Sequence, residues 1–253
     1  MTKKVLLVLI IAALAAGGVF AQTDSGSMAK YTITVDVAPA IAGLLFSPIG
    51  SKVSSNLDNV SDIKTSGFSI ALQLERQLFS QISAAARFVY GGYNAGFTYE
   101  EDHAKATPNI DLTSIAVEGH VRFYPLGDTF FLDGMVGYAR FSADLSGSVV
   151  ALVGSTSVER QAKANESNNY VKLGAKLGWR KTFGNNGGFV FEPSLGYYLG
   201  IPLGDDLGTK VTDAISKSIG GYTVKDIADE FKLLEDYIFV GGPRLSLAFG
   251  YRF

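Results

Sequence analysis

The sequence predicts an all-β fold in which eight antiparallel strands follow one another around an up-and-down β-barrel. Eight segments alternate large apolar residues with small or polar ones, which is the pattern of strands with one apolar face. Short turns and long polar connections alternate between these segments. After residue 21, no segment contains the run of about 20 apolar residues that a membrane-spanning helix requires. If the chain crosses a membrane, it therefore crosses as strands, which must close to pair every backbone group.

The last segment, Pro243 to Phe253, shows the alternation most clearly. Its apolar side chains recur at every second residue up to the C-terminus, and they are Leu245, Leu247, Phe249, Tyr251 and Phe253. The termini of soluble domains are usually polar and frayed. This apolar ending therefore favours a strand that lies against an apolar environment.

The N-terminus has the pattern of a secretory signal. A basic start at Lys3 and Lys4 precedes an apolar run from Val5 to Ala16, and the small residue Ala21 follows at a cleavage position. The apolar run is too short to serve as a spanning helix. We therefore expect cleavage after Ala21.

Residues 1–21 are thus expected to be a cleaved signal peptide, and residues 22–253 to form one barrel domain. Loss of Lys3 and Lys4 lowers the net charge from −2 to −4, which argues against nucleic-acid binding. The chain has no Cys, so neither a lipoprotein anchor nor a disulfide is expected.

Four strands are predicted in the N-terminal half of the chain. They are Tyr31 to Leu45, Phe68 to Leu78, Ile82 to Tyr90 and Ile115 to Phe123. A tight turn at Phe79 to Gln81 joins the second strand to the third. Polar connections separate the other strands, and they are Ser47 to Ser66 and Gly92 to Asn109.

The other four strands follow the same plan. They are Thr129 to Asp144, Val171 to Arg180, Phe189 to Ile201 and Tyr237 to Phe253. Short turns at Tyr124 to Asp128 and Asn185 to Gly188 contain the Pro, Gly and Asn residues that turns favour. Phe131 falls on the polar face of the fifth strand, which is the least regular of the eight.

Long connections run from Ser146 to Asn168 and from Leu203 to Asp236. In the first, Val149 to Val153 could extend a strand beyond a membrane. In the second, Thr223 to Tyr237 changes to the period of a helix, with a capping box at its start. Such a helix would cover the barrel mouth, bind a partner, or rest on the rim as a solvated loop helix.

The same alternation would fit a soluble lipocalin-like barrel with its faces reversed. Three observations favour a membrane barrel. First, the polar faces are mainly Gly, Ala and Ser, as a narrow filled lumen requires. Second, a periplasmic N-terminus places every long connection on the outer side. Aromatic residues also collect near the turn-side strand ends, as in an interfacial girdle; they are Phe123, Tyr124, Trp179, Phe183, Phe189, Phe191, Tyr251 and Phe253. The prediction is an eight-stranded antiparallel up-and-down transmembrane β-barrel with short periplasmic turns and long outer loops.

Two motifs accompany this plan: the closing Phe249-Gly250-Tyr251-Arg252-Phe253, and Arg122-Phe123-Tyr124-Pro125 leading into Phe130-Phe131-Leu132. With them, the chain resembles the small eight-stranded bacterial outer-membrane barrels, the group of the OmpA transmembrane domain, OmpX and OmpW. The resemblance implies a monomer surrounded by outer-membrane lipid. It also implies that Phe249, Tyr251 and Phe253 form the C-terminal signal that the barrel assembly machinery reads.

A polar network is predicted inside the barrel. Its members are Asp36, Glu75, Arg87, Glu118, His120, Arg122, Asp133, Lys172, Lys176, Arg180, Glu192, Arg244 and Arg252. Opposite charges across neighbouring strands attract one another, and more strongly in a confined lumen than at an open surface. The network is either a structural core that fills a barrel of this size or the lining of a narrow conductive path.

Counting back from the tight turns predicts neighbours within this network. Glu75 is expected to oppose Ala85 and to lie diagonal to Arg87. By the same count, His120 is expected to face Asp133 on the neighbouring strand. Arg180 is likewise expected to face Glu192.

No catalytic site, cofactor or metal is predicted. The two histidines are His103 and His120, and no Ser lies beside His120, so its pairing with Asp133 is not half of a catalytic triad. The sequence has no Gly-rich phosphate loop and no zinc or EF-hand motif. The acidic run Glu100 to Asp102 is expected to be a solvated loop.

Two classes of function remain open. One is a structural or surface-interaction barrel whose long outer loops contact extracellular ligands. The other is a narrow channel or an OmpW-like transporter for ions or small apolar solutes. An apolar pocket in the upper lumen, with Leu44, Val89 and Tyr198 in its lining, would favour the apolar route.

Overall fold

The computed structural model describes residues 31–37, 60–101, 104–153, 156–184, 187–205, 207, 209–210, 213 and 242–253. Ten strands lie within these ranges. They are β1 (Tyr31–Asp36), β2 (Val60–Gln77), β3 (Ile82–Glu101), β4 (Ala104–Phe123), β5 (Pro125–Asp128), β6 (Phe130–Val153), β7 (Thr156–Trp179), β8 (Lys181–Phe183), β9 (Gly188–Pro202) and β10 (Gly242–Arg252).

Among the described residues, eight strands close into one antiparallel ring. Their order around the ring is β1, β2, β3, β4, β6, β7, β9 and β10, and β10 pairs with both β9 and β1. The short strand β8 continues the line of β7 and pairs with β9. The predicted up-and-down eight-stranded barrel is confirmed.

The outside of the ring carries an apolar belt. On three adjacent strands the outward apolar residues run from Ile115 to Phe123 on β4, from Phe130 to Tyr138 on β6 and from Val171 to Trp179 on β7. Large side chains in this belt stay about half exposed, as with Val136 at 54%. Each of these runs has nine residues, which matches the roughly 9–11 residues that a tilted membrane strand requires.

Aromatic side chains ring the turn side of the belt, with one correction to the predicted girdle. Phe123, Trp179 and Phe189 are exposed there, and the rings of Phe130 and Trp179 pack edge to face at 5.3 Å. Tyr124 does not belong to the girdle, because it points inward and is only 2% exposed.

Beyond the belt, five strands continue as a paired sheet where the sequence predicts polar connections. Glu101 pairs with Ala104 and Val153 with Thr156, so β3–β4 and β6–β7 are long hairpins. The predicted connections Gly92 to Asn109 and Ser146 to Asn168 are therefore mostly strand, and the suggested strand at Val149 to Val153 is present. We call this sheet the extension; it comprises residues 60–67, 91–101, 104–114, 139–153 and 156–170.

The polar composition of the extension explains the difference. Its outward side chains, such as Asp111, Asp144 and Asn165, are exposed, while Leu112 and Leu145 are buried inside. Inward and outward side chains therefore still alternate in the extension. The outer face of the extension meets water and carries polar residues, which are also typical of loops.

Several predicted segments fall partly or wholly outside the described residues. They include the signal peptide (1–21), the end of the first strand (38–45), most of the connections Ser47 to Ser66 and Leu203 to Asp236, the helix from Thr223 to Tyr237, and the start of the last strand (237–241). Helical backbone is described at Leu207, Thr209, Lys210 and Asp213.

Closure of the ring depends on close approach of β1 and β10 at Gly250. A Cβ atom at this position would overlap the carbonyl oxygen of Ile33 and lie 2.8 Å from the Cα atom of Thr34. By contrast, a Cβ atom at Gly134 would meet nothing within 4 Å.

We expect Gly250→Ala to destabilise the barrel by about 1–3 kcal/mol, the usual cost of forcing backbone to shift in a packed structure. Gly134→Ala should leave stability unchanged or slightly raised, because Ala has the smaller unfolded-state entropy. Urea unfolding of the refolded variants, followed by heat-dependent gel mobility, measures both. Equal stability of the two variants would contradict this role of Gly250.

Candidate functional site: the ion-paired lumen

The inward faces of the strands carry the charged residues that the sequence places in the lumen. All the predicted members are buried except Arg244, which is half-buried. Buried charges are costly unless they are paired and hydrogen-bonded. The pairing of these groups therefore determines what the lumen can do.

Arg122 on β4 is the centre of the first cluster. Its Nη1 lies 2.6 Å from Glu75 Oε2 and 3.0 Å from Glu192 Oε2, and its Nε lies 2.8 Å from Asp133 Oδ2. The guanidinium also lies 4.5 Å from the centroid of the Phe131 ring. One cation thus joins carboxylates from three strands, β2, β6 and β9.

Arg180 completes this arrangement from the end of β7. It pairs with both Glu75 and Glu192, and its Nη1 donates to Glu75 Oε1 at 3.1 Å. Lys176 Nζ lies 3.3 Å from Asp133 Oδ2. We call Glu75, Arg122, Asp133, Lys176, Arg180 and Glu192 the turn-side cluster; it holds three carboxylates and three Lys or Arg cations and is electrically neutral.

A second cluster lies nearer the barrel mouth. Arg87 Nη2 lies 2.7 Å from Asp36 Oδ2, and Lys172 Nζ lies 2.6 Å from Glu118 Oε1. Arg87 Nη1 also lies 3.8 Å from Glu118 Oε2. We call Asp36, Arg87, Glu118 and Lys172 the mouth-side cluster, and its two carboxylates balance its two cations.

The predicted neighbours are found only in part. Glu75 opposes Ala85 and lies diagonal to Arg87 as predicted, while Arg87 forms its ion pairs with Asp36 and Glu118. The ion pair between Arg180 and Glu192 is present.

The predicted centre of the β4–β6 turn is wrong by one residue, which displaces each cross-strand partner by two residues. Arg122, not His120, is directly opposite Asp133, and His120 is opposite Met135. The pairing is centred between Gly127 and Asp128, where Gly127 has a φ of +69°. His120 still reaches Asp133 diagonally, with 2.8 Å between Nδ1 and Oδ1.

Neutral side chains complete the turn-side cluster, and the sequence reasoning missed them. The hydroxyls of Tyr124 and Ser83 each donate to Glu75 Oε1 at 2.7 Å, and Arg122 Nη2 donates to Gln73 Oε1 at 3.2 Å. Tyr124 continues the inward parity of Arg122, and this signal could have placed it in the lumen.

Between the two clusters the lumen is almost completely filled. One described cavity of about 10 Å³ lies there, with room for about one water molecule. It is lined by Thr34, Asp36, Gln73, Arg87, Arg122, Lys176, Glu192, Ser194, Ser246 and Ala248. The described lumen therefore offers no wide aqueous path at this level.

Above the mouth-side cluster the interior becomes apolar. We call this the apolar layer, and its buried members are Ala71, Val89, Ile110, Leu112, Ala116, Ala139, Phe141, Ala143, Leu145, Tyr170 and Leu207. Of the predicted pocket residues, Val89 belongs to this layer, whereas Leu44 lies outside the described residues. Tyr198 lies at the level of the ions, with Lys172 Nζ 5.3 Å from its ring centroid.

Residues that follow β9 supply Leu207 to the apolar layer. Leu203 N donates to Asn169 O at 2.8 Å, and Leu207 N donates to the Tyr170 hydroxyl at 3.1 Å. Asn168 Nδ2 donates to Asp205 O at 2.7 Å. The described residues of this segment are thus attached to the inner side of β7, and Leu207 packs into the apolar layer.

Within the described ranges, no group of three or more His, Asp or Glu residues could hold a metal ion. None of the helical residues that the structure describes belongs to a helix of the length and hydrophobicity that crossing a bilayer requires.

No protein-family model matches the sequence, and no curated protein is similar to it. Similar solved structures include Ail, the attachment invasion locus protein of Yersinia pestis, at 14% identity and a TM-score of 0.41, covering 90% of this chain and 100% of that chain. Ail in complex with the heparin analogue sucrose octasulfate gives 13% identity and a TM-score of 0.42, with the same coverage.

The N-terminal β-barrel domain of Pseudomonas aeruginosa OprF gives 10% identity and a TM-score of 0.32, covering 89% of this chain and 100% of that chain. All three TM-scores lie below 0.5, so these likenesses carry no functional conclusion for this chain. The fold and the site define a closed barrel with an apolar exterior and an ion-paired interior.

We expect Arg122→Met to destabilise the barrel by about 3–5 kcal/mol, because it leaves carboxylates from three strands buried with one cation fewer. Arg140→Met is the matched control, since Arg140 is exposed on the outer face of β6. Its cost should stay within about 0.5 kcal/mol. Urea unfolding midpoints in detergent micelles measure both, and similar midpoints for the two variants would show that Arg122 is not the centre of the cluster.

Proposed function

We propose that this protein is a bacterial outer-membrane β-barrel with a closed lumen, which acts in surface interaction through its extension. In this proposal, residues 1–21 are removed during export, and the extension faces the cell's surroundings. The observation that carries it is the combination of a lumen filled by two neutral ion clusters with a sheet that projects beyond the apolar belt.

The apolar belt supports the membrane location. A soluble protein rarely exposes contiguous apolar patches larger than a few hundred Å². Here the belt faces outward on every strand of the ring, with Phe68 at 50%, Leu195 at 53% and Leu245 at 42% exposure. Lipid is the environment that such a surface requires, and a closed ring leaves no unpaired strand edge within it.

The filled lumen argues against a channel. Ions would have to pass the turn-side cluster, where one guanidinium holds Glu75, Asp133 and Glu192 together. The ion pairs would have to separate in a region whose described cavity holds about one water molecule. This interior therefore serves stability better than conduction.

The extension supports contacts outside the membrane. From the belt to their ends, β6 and β7 continue for fifteen residues each (139–153 and 156–170). At about 3.3 Å per residue, each strand covers about 50 Å along its path. A sheet of this length would extend well beyond the lipid, and binding residues are commonly carried on such projecting segments.

Transport of small apolar solutes is the second candidate, and the apolar layer favours it. Phe141, Leu145 and Tyr170 form an apolar interior at the mouth, where water would otherwise enter. The ion clusters below close the straight route, so an apolar solute would have to leave sideways between strands.

Single-channel recording of the refolded protein in a planar bilayer tests the closed lumen. We expect no conductance steps from the wild type, with the folded state shown by heat-dependent gel mobility. The double variant Arg180→Ala, Glu192→Ala is the comparison, because it removes one cation and one carboxylate together. Wild-type steps that change size or ion preference in this variant would replace our proposal with a conductive lumen.

Single cysteines test the location and orientation, because the natural chain has none. Lys163→Cys lies on the outer face of the extension, and Ser80→Cys lies in the turn between β2 and β3; both positions are exposed. A membrane-impermeant maleimide on intact cells should label Cys at position 163 but not at position 80, and lysis should expose both. The opposite labelling pattern would place the extension inside the envelope.

A further inference from the structure

The small cavity between the two ion clusters has a polar lining. Its volume is about 10 Å³, which is about the space that one water molecule needs. Asp36 and Arg87 reach it from the mouth-side cluster, and Arg122, Lys176 and Glu192 reach it from the turn-side cluster. Of its ten lining residues, nine are polar. Buried cavities that stay empty are apolar, so this lining favours an occupied cavity.

Gln73 supplies a buried donor among the lining residues. It is 4% exposed, and its Oε1 atom accepts a hydrogen bond from Arg122 Nη2 at 3.2 Å. This bond fixes the orientation of the amide, because the reverse orientation would turn its N–H donors against a guanidinium that only donates. The Nε2 atom is buried and makes no hydrogen bond within the described residues. A buried donor without an acceptor is costly, and an acceptor in the cavity would satisfy it.

The lining also offers the further partners that a buried water molecule requires. Such a molecule typically makes about three hydrogen bonds. The Lys176 ammonium has three N–H donors, and its ion pair with Asp133, at 3.3 Å, uses one of them. The carboxylates of Asp36 and Glu192 each have about four lone-pair sites, and the hydroxyl groups of the lining can donate or accept. The cavity thus has both donors and acceptors around it.

The charges around the cavity favour a neutral occupant. Each of the two clusters contains equal numbers of carboxylates and of Lys or Arg cations. An ion in the cavity would therefore add a buried charge without a counter-charge, which is costly in so dry an interior. A water molecule adds no charge, and it can donate and accept at the same time.

We propose that the cavity is a binding site for a single water molecule, which joins the two ion clusters. The water accepts a hydrogen bond from Gln73 Nε2. It donates one hydrogen bond to Asp36 in the mouth-side cluster and one to Glu192 in the turn-side cluster. It thereby satisfies the buried amide and completes the polar filling of the lumen. The inference does not depend on the proposed function, because it concerns the lumen and not the extension.

A crystal structure of the refolded protein, grown in the presence of sodium bromide, tests the site directly. We expect one density peak at about 2.7–3.2 Å from Gln73 Nε2, the range of N–H···O hydrogen bonds, and no anomalous signal from it. A site without density would overturn the proposal. An anomalous peak would overturn it as well, because bromide scatters anomalously and water does not, and the site would then bind an anion.

Oxygen-17 relaxation dispersion gives a second test, because it counts slowly exchanging water molecules in solution. Ala248→Val adds two methyl groups at a buried residue that lines the cavity. The matched control is Ala143→Val, which adds the same groups at a buried residue of the apolar layer.

In micelles, we expect Ala248→Val to hold one slowly exchanging water molecule fewer than the wild type, and Ala143→Val to hold the same number. Heat-dependent gel mobility shows whether each variant is folded. An unchanged number in folded Ala248→Val would contradict the water site. The crystal structure of the wild type decides the question even where this variant does not fold.

Discussion

Closure of the strand ring is the constraint on which the rest of this structure depends. In a closed ring every strand is paired along both edges, so β10 must meet β1, and Gly250 permits the close approach. Eight strands leave an interior just wide enough for side chains to fill. Charged groups placed in so narrow a space have little water, and they must therefore neutralise one another. The two ion clusters thus follow from the strand number.

The clusters divide the barrel into levels with different properties. On the turn side, Arg122 and Arg180 connect carboxylates from several strands, which ties opposite walls of the barrel together. Above the mouth-side cluster, the apolar layer and Leu207 exclude water by packing. A closed lumen with two kinds of filling agrees with the surface role proposed for the extension.

The alternation of residues predicted much of this architecture. It placed Arg122, Asp133 and Glu192 in the lumen and Phe123, Trp179 and Phe189 outside, because alternation by two assigns each side chain to one face. It did not distinguish the extension from loops, since a strand with water on its outer face has a polar composition similar to that of a loop. It also failed at Tyr124, whose aromatic character indicated a girdle although its parity indicated the lumen.

By itself, the sequence determined the number of strands in the ring, their inward and outward faces, and the charged side chains of the lumen. The tertiary structure decided which charges pair, because pairing depends on the register of each turn and on contacts across the ring that no single hairpin contains. Asp36 meets Arg87 from β3, and Glu75 meets Arg180 from β7, although neither pair lies on neighbouring strands. Only the curvature of the closed barrel brings such distant residues together across its interior.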